Sequence, residues 1–282
     1  MSSITKNILI EGKHNKPIVT DVFFETTNTP KPIIIFCHGY KGFKDWGAWN
    51  LMADAYSKAG FFFIKFNFSH NGGTAEQPID FPDLEAFGQN NFTKELDDLK
   101  SVLDWICASE TYKKEVNTQN ISLLAHSRGG GISCIKTEED SRIKNVITLA
   151  GVSDYKVRFN ENTEGFKLWQ ETGITYIENG RTKQQMPHYF QFYTNFIENE
   201  NRFTIKRAVE NLTVPHLIIH GTQDSTVSLD EAKNLHKWNA KSKLEIIDGA
   251  DHVFGASHPW NENTLPTDLE KAIENSIAFL KK

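Results

Sequence analysis

The sequence predicts an α/β protein in which a mostly parallel central sheet carries helices on both faces. Short, continuous apolar runs such as residues 33–38 and 61–68 are typical of strands that are buried on both sides. Segments with helical periodicity, such as residues 93–108, alternate with these runs. The chain has 282 residues, of which 39% are hydrophobic, so it is long enough to bury a core of this kind.

Each predicted element follows from its local pattern. Alternating residues on either side of a polar turn predict an N-terminal hairpin, and Gly60 ends the first helical pattern. Residues 74–92 contain Pro78 and Pro82 and predict a loop. In chain order, the first half is predicted to contain hairpin strands at 6–12 and 17–25, a strand at 33–38, a helix at 45–59, a strand at 61–68, a helix at 93–108, a strand at 121–125 that leads into a helix, and a strand at 143–150.

Residues 152–213 interrupt this alternation, because they contain aromatic and polar residues but no apolar run of strand length. We interpret them as a helical cap inserted between two parts of a core domain, residues 1–151 and 214–282. The cap's aromatic side chains suit either an apolar substrate pocket or a small core of their own, and Phe43 and Trp46 are further candidates for pocket walls. After the cap, strands are predicted at 215–220 and 244–247, and helices at 228–238 and 267–280.

Composition excludes several classes of function. A net charge of -5 and a pI near 6.1, without a basic stripe, argue against binding to nucleic acid. Three cysteines without metal-ligand spacing predict reduced, mostly buried thiols, so neither a metal nor a cofactor is expected. The N-terminus lacks a signal-like apolar run, which predicts a cytoplasmic protein that does not bind membranes. A homodimer is left open.

A nucleophile elbow is the first candidate for chemistry. Ser127 lies where the strand 121–125 runs into a helix, and it is flanked by Ala125 two residues before and Gly129 two residues after. Such a tight turn needs small side chains because the backbones approach closely. The alternative is an ordinary corner with a capping serine. The three glycines 129–131 lack the neighbours of a phosphate-binding loop and fit helix packing better.

The chain also supplies a base and an acid for this serine. A serine hydroxyl becomes nucleophilic when a histidine takes its proton and a carboxylate orients that histidine. Asp224 follows the strand 215–220, and His252 follows the strand 244–247. Asp251 and Asp154 are weaker candidates for the acid. Three other histidines, each beside the nucleophile or at a strand end, are expected to be structural: His126, His38 and His220.

An oxyanion hole needs two backbone N–H groups near the nucleophile. The residue after the nucleophile, Arg128, supplies one of them. The loop after the strand 33–38 supplies the other, which we assign to Tyr40 because Gly39 lets the backbone turn toward the substrate.

The segments HGYKG, NFSHNGG, AHSRGG, HGTQD and GADHVFG together resemble the α/β-hydrolase superfamily. More narrowly, they are similar to the dienelactone-hydrolase-like and serine-aminopeptidase-like members. The resemblance implies an α/β-hydrolase fold and hydrolysis of an acyl bond through an acyl-enzyme, with Ser127, Asp224 and His252 as the triad. Dienelactone hydrolases carry a cysteine nucleophile, so the serine here argues against lactones and favours esters.

The expected function is therefore that of a cofactor-free carboxylesterase acting on a small acyl substrate. A peptidase or amidase using the same triad is the alternative. A binding module that has kept the fold without the chemistry is a third hypothesis, which is weakened because no member of the triad is missing.

Overall fold

Eight strands form a single sheet at the centre of the molecule. The computed structural model describes residues 2–282. The sheet runs in the order β1-β2-β4-β3-β5-β6-β9-β10, in which the β1–β2 and β2–β4 pairs are antiparallel and the other pairs are parallel. These strands are β1 (Ser2–Ile10), β2 (Ile18–Glu25), β3 (Lys31–Cys37), β4 (Phe62–Phe66), β5 (Val116–His126), β6 (Ile143–Leu149), β9 (His216–Gly221) and β10 (Lys243–Ile247), while β7 (Ile174–Glu178) and β8 (Gln185–Tyr189) pair separately.

Helices cover both faces of this sheet. The ten α-helices of the described residues are α1 (Trp49–Lys58), α2 (Leu84–Gly88), α3 (Phe92–Ala108), α4 (Arg128–Glu139), α5 (Glu164–Thr172), α6 (Gln191–Glu198), α7 (Glu200–Phe203), α8 (Ile205–Glu210), α9 (Leu229–Trp238) and α10 (Thr267–Leu280). Helices α1 and α10 lie together on one face, whereas α3, α4, α8 and α9 pack side by side on the other. This architecture confirms the predicted fold class.

The central strands are apolar throughout because each of their faces meets a helix layer. In β3, Ile33 and Ile35 pack on the side of α3 and α4, while Ile34 and Phe36 pack on the side of α1 and α10. All four side chains are fully buried. Burying a side chain of this size contributes roughly 1.5–3 kcal/mol, so the two layers together hold the carboxyl ends of the strands at fixed positions.

Two predicted boundaries in the first half of the chain are wrong. The helix predicted from residue 45 begins at Trp49, because the Asp45 carboxylate instead accepts hydrogen bonds from the buried ammonium groups of Lys44 and Lys65, both at 2.5 Å. The predicted loop 74–92 contains α2, whose first turn is capped by the Asp83 carboxylate at 2.8 Å from the Ala86 N–H.

The cap also contains an element that was not predicted. Besides helices, residues 152–213 include the antiparallel hairpin of β7 and β8, so a cap built of helices alone is wrong in this respect. Helix α8 contacts α4 and α9, which places the last part of this segment beside the core helices. Within residues 2–282, no helix has the length and apolarity needed to cross a bilayer.

Candidate active site

Ser127 lies at a strained turn between β5 and α4. Its backbone has φ +56° and ψ -121°, a combination that non-glycine residues rarely adopt. Two glycines make room for the turn. A Cβ on Gly129 would lie 2.6 Å from the carbonyl oxygens of Cys37 and His38, and a Cβ on Gly39 would lie 2.9 Å from the Cβ of Ser127. The sharp corner predicted from the sequence is therefore present.

A continuous chain of hydrogen bonds joins Ser127 to two residues that are distant in sequence. The Nε2 atom of His252 is 3.1 Å from the Ser127 Oγ, and its Nδ1 atom is 2.8 Å from Oδ2 of Asp224. The three residues follow β5, β9 and β10, whose carboxyl ends lie at the same edge of the sheet. The structure thus brings the three predicted side chains together in the order that proton transfer from a serine requires.

The Asp224 carboxylate is inaccessible to solvent and fully engaged. Its Oδ1 atom accepts from the N–H groups of Thr226 and Val227 at 2.9 and 2.8 Å, and its Oδ2 atom lies 3.2 Å from Nε2 of His220. Burial alone would raise the pKa of Asp224, but the hydrogen bonds from His220, His252 and Val227 outweigh it and hold the pKa well below its usual range. Asp224 is therefore an anion that can orient His252.

The side chain of His220 has a role that the sequence analysis missed. The sequence predicts a structural role for His220, and its Nε2 atom lies 2.8 Å from the carbonyl oxygen of Val227. The same nitrogen also faces Asp224, four residues later in the chain. The spacing of a strand-end histidine four residues before the acid was the available signal.

Two other histidines occupy structural positions. His126 Nε2 lies 2.8 Å from the carbonyl oxygen of His252, and His38 Nδ1 lies 2.9 Å from that of Gly39. Burial lowers the pKa of His126 to about 3, with a further contribution from His252, and burial lowers the pKa of His38 to about 4. Both rings are neutral near pH 7, so they fix the loops beside the serine without exchanging protons there.

The alternative acids lie elsewhere. The Asp251 carboxylate accepts from the backbone N–H groups of Val253 and Gly255, at 3.1 and 2.8 Å. The Asp154 carboxylate accepts from the N–H of Lys156 at 2.6 Å. Across residues 2–282, the carboxylate that contacts the His252 ring is that of Asp224.

Two backbone N–H groups lie free beside the serine. Arg128 is the first residue of α4, where N–H groups have no partner within the helix and the helix dipole favours negative charge. Tyr40 follows Gly39 in the turn after β3, and its N–H likewise has no hydrogen-bond partner in the described part of the chain. Tyr40 and Arg128 both line a cavity that also contains Ser127.

Two cavities meet at Ser127. The first, the cap cavity, has a volume of about 430 Å³, and its lining includes Phe92, Phe159, Phe166, Trp169, Ile177 and Phe192. The second, the loop cavity, has a volume of about 450 Å³, and its lining includes Lys41, Trp46, Asn179, Arg181, His252 and His258. Trp46 therefore lines a cavity as predicted, whereas Phe43 is fully buried in a small core with Phe81.

The cap cavity is aromatic, and its cations are paired. Phe166 packs edge-on against Trp169, with ring centroids 6.1 Å apart, so the cap aromatics form both a pocket wall and a local core. The Arg128 guanidinium forms an ion pair with the buried Glu95 carboxylate, which also accepts from Nδ2 of Asn90 at 2.8 Å. Arg158 likewise pairs with a carboxylate, that of Glu231 at 2.6 Å.

A hydrogen bond joins the oxyanion turn to the cap hairpin. The Tyr40 hydroxyl lies 2.5 Å from Nε2 of His188, which is on β8. Burial raises the pKa of Tyr40 to about 12, and burial, together with the charges of Arg128 and Lys41, lowers the pKa of His188 to about 4. Both groups are neutral near pH 7, so the hydroxyl donates to the imidazole.

The BD-FAE family model matches residues 20–239 of the chain, a stretch that includes Ser127 and Asp224. The chain belongs to the BD-FAE family. By sequence, this BD-FAE protein has no match among curated proteins.

The BD-FAE chain shares its fold with solved esterases and hydrolases. Est1E from Butyrivibrio proteoclasticus superposes with a TM-score of 0.72 at 17% identity, covering 98% of both chains, and it has also been solved with ferulic acid bound. The esterase domain of a Rhodothermus marinus protein gives 0.65 at 16% identity, covering 99% of this chain and 97% of its own. A dienelactone hydrolase from Anabaena variabilis gives 0.64 at 13%, covering 99% and 97%. The α/β-hydrolase fold that the sequence resemblance implies is thus confirmed.

Proposed function

We propose that this protein is a serine esterase that hydrolyses carboxylic esters through an acyl-enzyme. The observation that carries the proposal is the hydrogen-bonded chain from Ser127 Oγ through His252 to Asp224, at 3.1 and 2.8 Å. It lies beside two free backbone N–H groups and at the junction of two cavities. A nucleophile, a base, an orienting acid and an oxyanion hole together form the set that acyl transfer needs.

In the first half of the reaction, Ser127 Oγ attacks the ester carbonyl carbon, and His252 Nε2 takes the hydroxyl proton. The N–H groups of Tyr40 and Arg128 stabilise the negative charge that develops on the carbonyl oxygen. Each such donor typically contributes about 2.7–4 kcal/mol to lowering the barrier. When the C–O bond to the alcohol breaks, the imidazolium of His252 returns its proton to the leaving oxygen, and the acyl group stays on Ser127.

In the second half, water replaces the alcohol. His252 takes a proton from the water as its oxygen attacks the acyl carbon, and the same donors hold the oxyanion. The intermediate then collapses, Ser127 recovers its proton from His252, and the carboxylic acid leaves. Asp224 remains an anion throughout and stabilises the imidazolium, which fits the low pKa that its hydrogen bonds give it.

The cap cavity fits an aromatic acyl group. Aromatic and aliphatic side chains line most of it, and rings at its wall meet at the edge-on angles that aromatic contacts favour. Since Est1E has been solved with ferulic acid, we propose arylacyl esters, with hydroxycinnamoyl groups among them, as the substrate class. A peptidase that uses the same triad is the alternative outcome of the test.

The experiment combines turnover with labelling. Methyl cinnamate, methyl acetate and a set of aminoacyl and peptidyl arylamides are offered to the protein, which is also treated with a fluorophosphonate. We expect turnover of methyl cinnamate and a label on Ser127, both lost in Ser127→Ala. Ser133→Ala, a buried serine on the same helix α4, is the matched control and keeps both. Turnover that survives Ser127→Ala contradicts the mechanism, and preferential cleavage of the arylamides favours the peptidase.

A further inference from the structure

The loop cavity is lined by hydrogen-bond donors and lacks acidic groups. Its side chains with nitrogen donors include Lys41, Asn179, Arg181 and His258. Among the described residues, no aspartate or glutamate lines this cavity. The carbon surface of Trp46, Trp49 and Phe81 forms another part of its wall. Such a lining accepts a ligand that combines an apolar skeleton with oxygen acceptors.

The Lys41 ammonium in this cavity has no counter-ion. Within residues 2–282 it forms neither a hydrogen bond nor an ion pair, and it lies over the face of the Tyr40 ring, 5.3 Å from its centroid. Partial burial lowers the pKa of Lys41, since the group loses water without gaining a carboxylate. Its backbone has φ +52° in the tight turn that the Gly42 N–H closes on the Gly39 carbonyl at 3.0 Å.

Two neutral side chains in the same cavity, Asn179 and His258, each have an N–H donor without a hydrogen-bond partner in the described chain. The Asn179 side chain is 8% exposed, and its oxygen accepts from the N–H groups of Arg181 and Thr182 at 3.1 and 3.4 Å. Its amide nitrogen has no partner in the described chain. His258 accepts from the Gly47 N–H through Nδ1 at 2.9 Å, which leaves its proton on Nε2, and that nitrogen also lacks a partner.

The Arg181 guanidinium is less available than the Lys41 ammonium. It forms an ion pair with the Asp80 carboxylate. The free positive charge of the loop cavity is therefore that of Lys41, and the ligand group that it fits is an anion.

The position of His252 identifies which part of an ester occupies each cavity, if the proposed esterase function holds. His252 lines the loop cavity and is absent from the lining of the cap cavity. Because His252 returns its proton to the leaving oxygen, the alcohol must lie on the side of His252. The acyl group then lies in the cap cavity, whose wall is aromatic.

We propose that the loop cavity selects esters whose alcohol part carries an anionic oxygen group, a carboxylate or a phosphate, which Lys41 binds. Asn179 Nδ2 and His258 Nε2 donate to further oxygens of that alcohol, and Trp46 contacts its carbon skeleton. Lys41 is thus a specificity-determining residue of the leaving-group site. This inference rests on the proposed function, because it assigns a binding site to the alcohol part of the proposed ester substrate.

The test uses three cinnamoyl esters whose alcohols differ only at the end remote from the ester bond. They are the esters of 4-hydroxybutanoate, of its neutral amide 4-hydroxybutanamide, and of 3-hydroxypropyl phosphate. The measured quantity is the ratio of kcat/KM for an anionic ester to that for the amide. We expect a ratio of about ten, which corresponds to about 1.4 kcal/mol, and a decline of this ratio as salt is added.

The ratio is then measured in two lysine variants. Lys41→Met keeps a side chain of similar length but removes the charge, and the ratio should fall to about one. Lys206→Met removes a charge from an exposed position of α8 and should keep the wild-type ratio. Because each ratio compares two esters on one enzyme, any general effect of the substitution on turnover cancels.

A wild-type ratio near one overturns the proposal, as does a high ratio that survives Lys41→Met. A preference for one anionic ester over the other identifies the anion as carboxylate or phosphate. Calorimetric binding of the same esters to Ser127→Ala separates this proposal from the esterase mechanism. Tighter binding of the anionic ester without any turnover in the wild type rejects the esterase and keeps the anion site, whereas equal binding rejects the anion site even if methyl cinnamate is hydrolysed.

Discussion

Each of the two cavities that meet at Ser127 is lined by basic side chains, but the cation is paired in the cap cavity and unpaired in the loop cavity. In the cap cavity, the Arg128 guanidinium is neutralised by Glu95, a carboxylate that is 1% exposed. In the loop cavity, the Lys41 ammonium has no such partner among residues 2–282. A cation that is paired inside the protein serves the structure, whereas a partly desolvated cation without a counter-ion is left for a ligand.

The difference follows from which segments of the chain form the wall of each cavity. Long-range packing builds the cap cavity, because the insertion after β6 is placed over the N-terminus of α4 and the buried face of α3. Short turns build the loop cavity, since the turn after β3 and the segment after β10 supply much of its wall. The cap cavity therefore has a largely aromatic wall, and the wall of the loop cavity is rich in hydrogen-bond donors.

The largest effect is expected from a substitution in the hydrogen-bonded chain of Ser127, His252 and Asp224, which serves both cavities. Asp224→Asn should lower kcat by about 10⁴-fold, because the amide no longer fixes the His252 tautomer or stabilises the imidazolium. The loss should be equal for anionic and neutral esters, so the ratio between them stays unchanged. Steady-state kinetics with the three cinnamoyl esters measures both quantities, and a loss that differs between the esters would contradict a shared centre.

A smaller effect is expected when the cation of the cap cavity loses its counter-ion, so that it is unpaired like the cation of the loop cavity. Glu95→Gln leaves the Arg128 guanidinium unpaired and should lower the free energy of unfolding by about 3–5 kcal/mol, the typical cost of breaking a buried pair. It should also improve hydrolysis of esters with an acidic acyl group, such as methyl succinate, relative to methyl butyrate.

Urea unfolding and the succinate-to-butyrate rate ratio measure the two consequences of Glu95→Gln. Glu245→Gln, which removes a partly exposed carboxylate from an ion pair on β10, is the control, and it should change neither quantity by much. An unchanged ratio in a folded Glu95→Gln protein would show that pairing does not govern acyl selectivity.

The hydrogen bond between Tyr40 and His188 joins the two cavities and should respond to pH. The pKa of His188 is about 4 in the folded protein and about 6.5 in an unfolded chain. The unfolded state therefore binds more protons between these values, so stability is full above about pH 6.5 and falls as the pH drops toward 4. His188→Gln should make this decline shallower by about 1–3 kcal/mol.

Urea unfolding at pH 7 and pH 4.5 measures this decline. An identical pH dependence in His188→Gln would mean that the cap hairpin stays in place when the imidazole is protonated.

The smallest effect is expected from a substitution in the wall of the cap cavity. Phe166→Ala should raise KM for methyl cinnamate about fivefold, because an aromatic contact with the acyl group is worth about 1 kcal/mol. Hydrolysis of methyl acetate and the anion-to-amide ratio should change little. Leu168→Ala, an exposed position on the same helix α5, is the matched control. A change in the anion-to-amide ratio would show that the two cavities are not independent.

The fold and the proximity of the triad could be predicted because they follow from local patterns. Apolar runs identify parallel strands, and the carboxyl ends of such strands meet at one edge. Ser127, Asp224 and His252 each follow one of these strands in the sequence. The same reasoning leads to the prediction that Tyr40 and Arg128 supply the oxyanion hole, because Tyr40 lies in the turn after β3 and Arg128 follows Ser127 in the turn after β5.

The rest depended on contacts between distant residues. The cap hairpin was missed because Ile174–Glu178 and Gln185–Tyr189 are short strands, in which buried and exposed positions do not alternate clearly. The pairing of Arg128 with Glu95 joins residues that are 33 positions apart. That Lys41 lacks a partner is a property of the whole surface around it, and no local pattern reports it.

The most direct test of the account is to trap the acyl-enzyme. The protein is quenched in acid during turnover of cinnamoyl esters with different alcohols and then analysed by intact-mass and peptide mass spectrometry. We predict a single added cinnamoyl group on Ser127, of the same mass for every alcohol and absent from Ser127→Ala. An adduct on another residue, or one whose mass changes with the alcohol, would contradict the account.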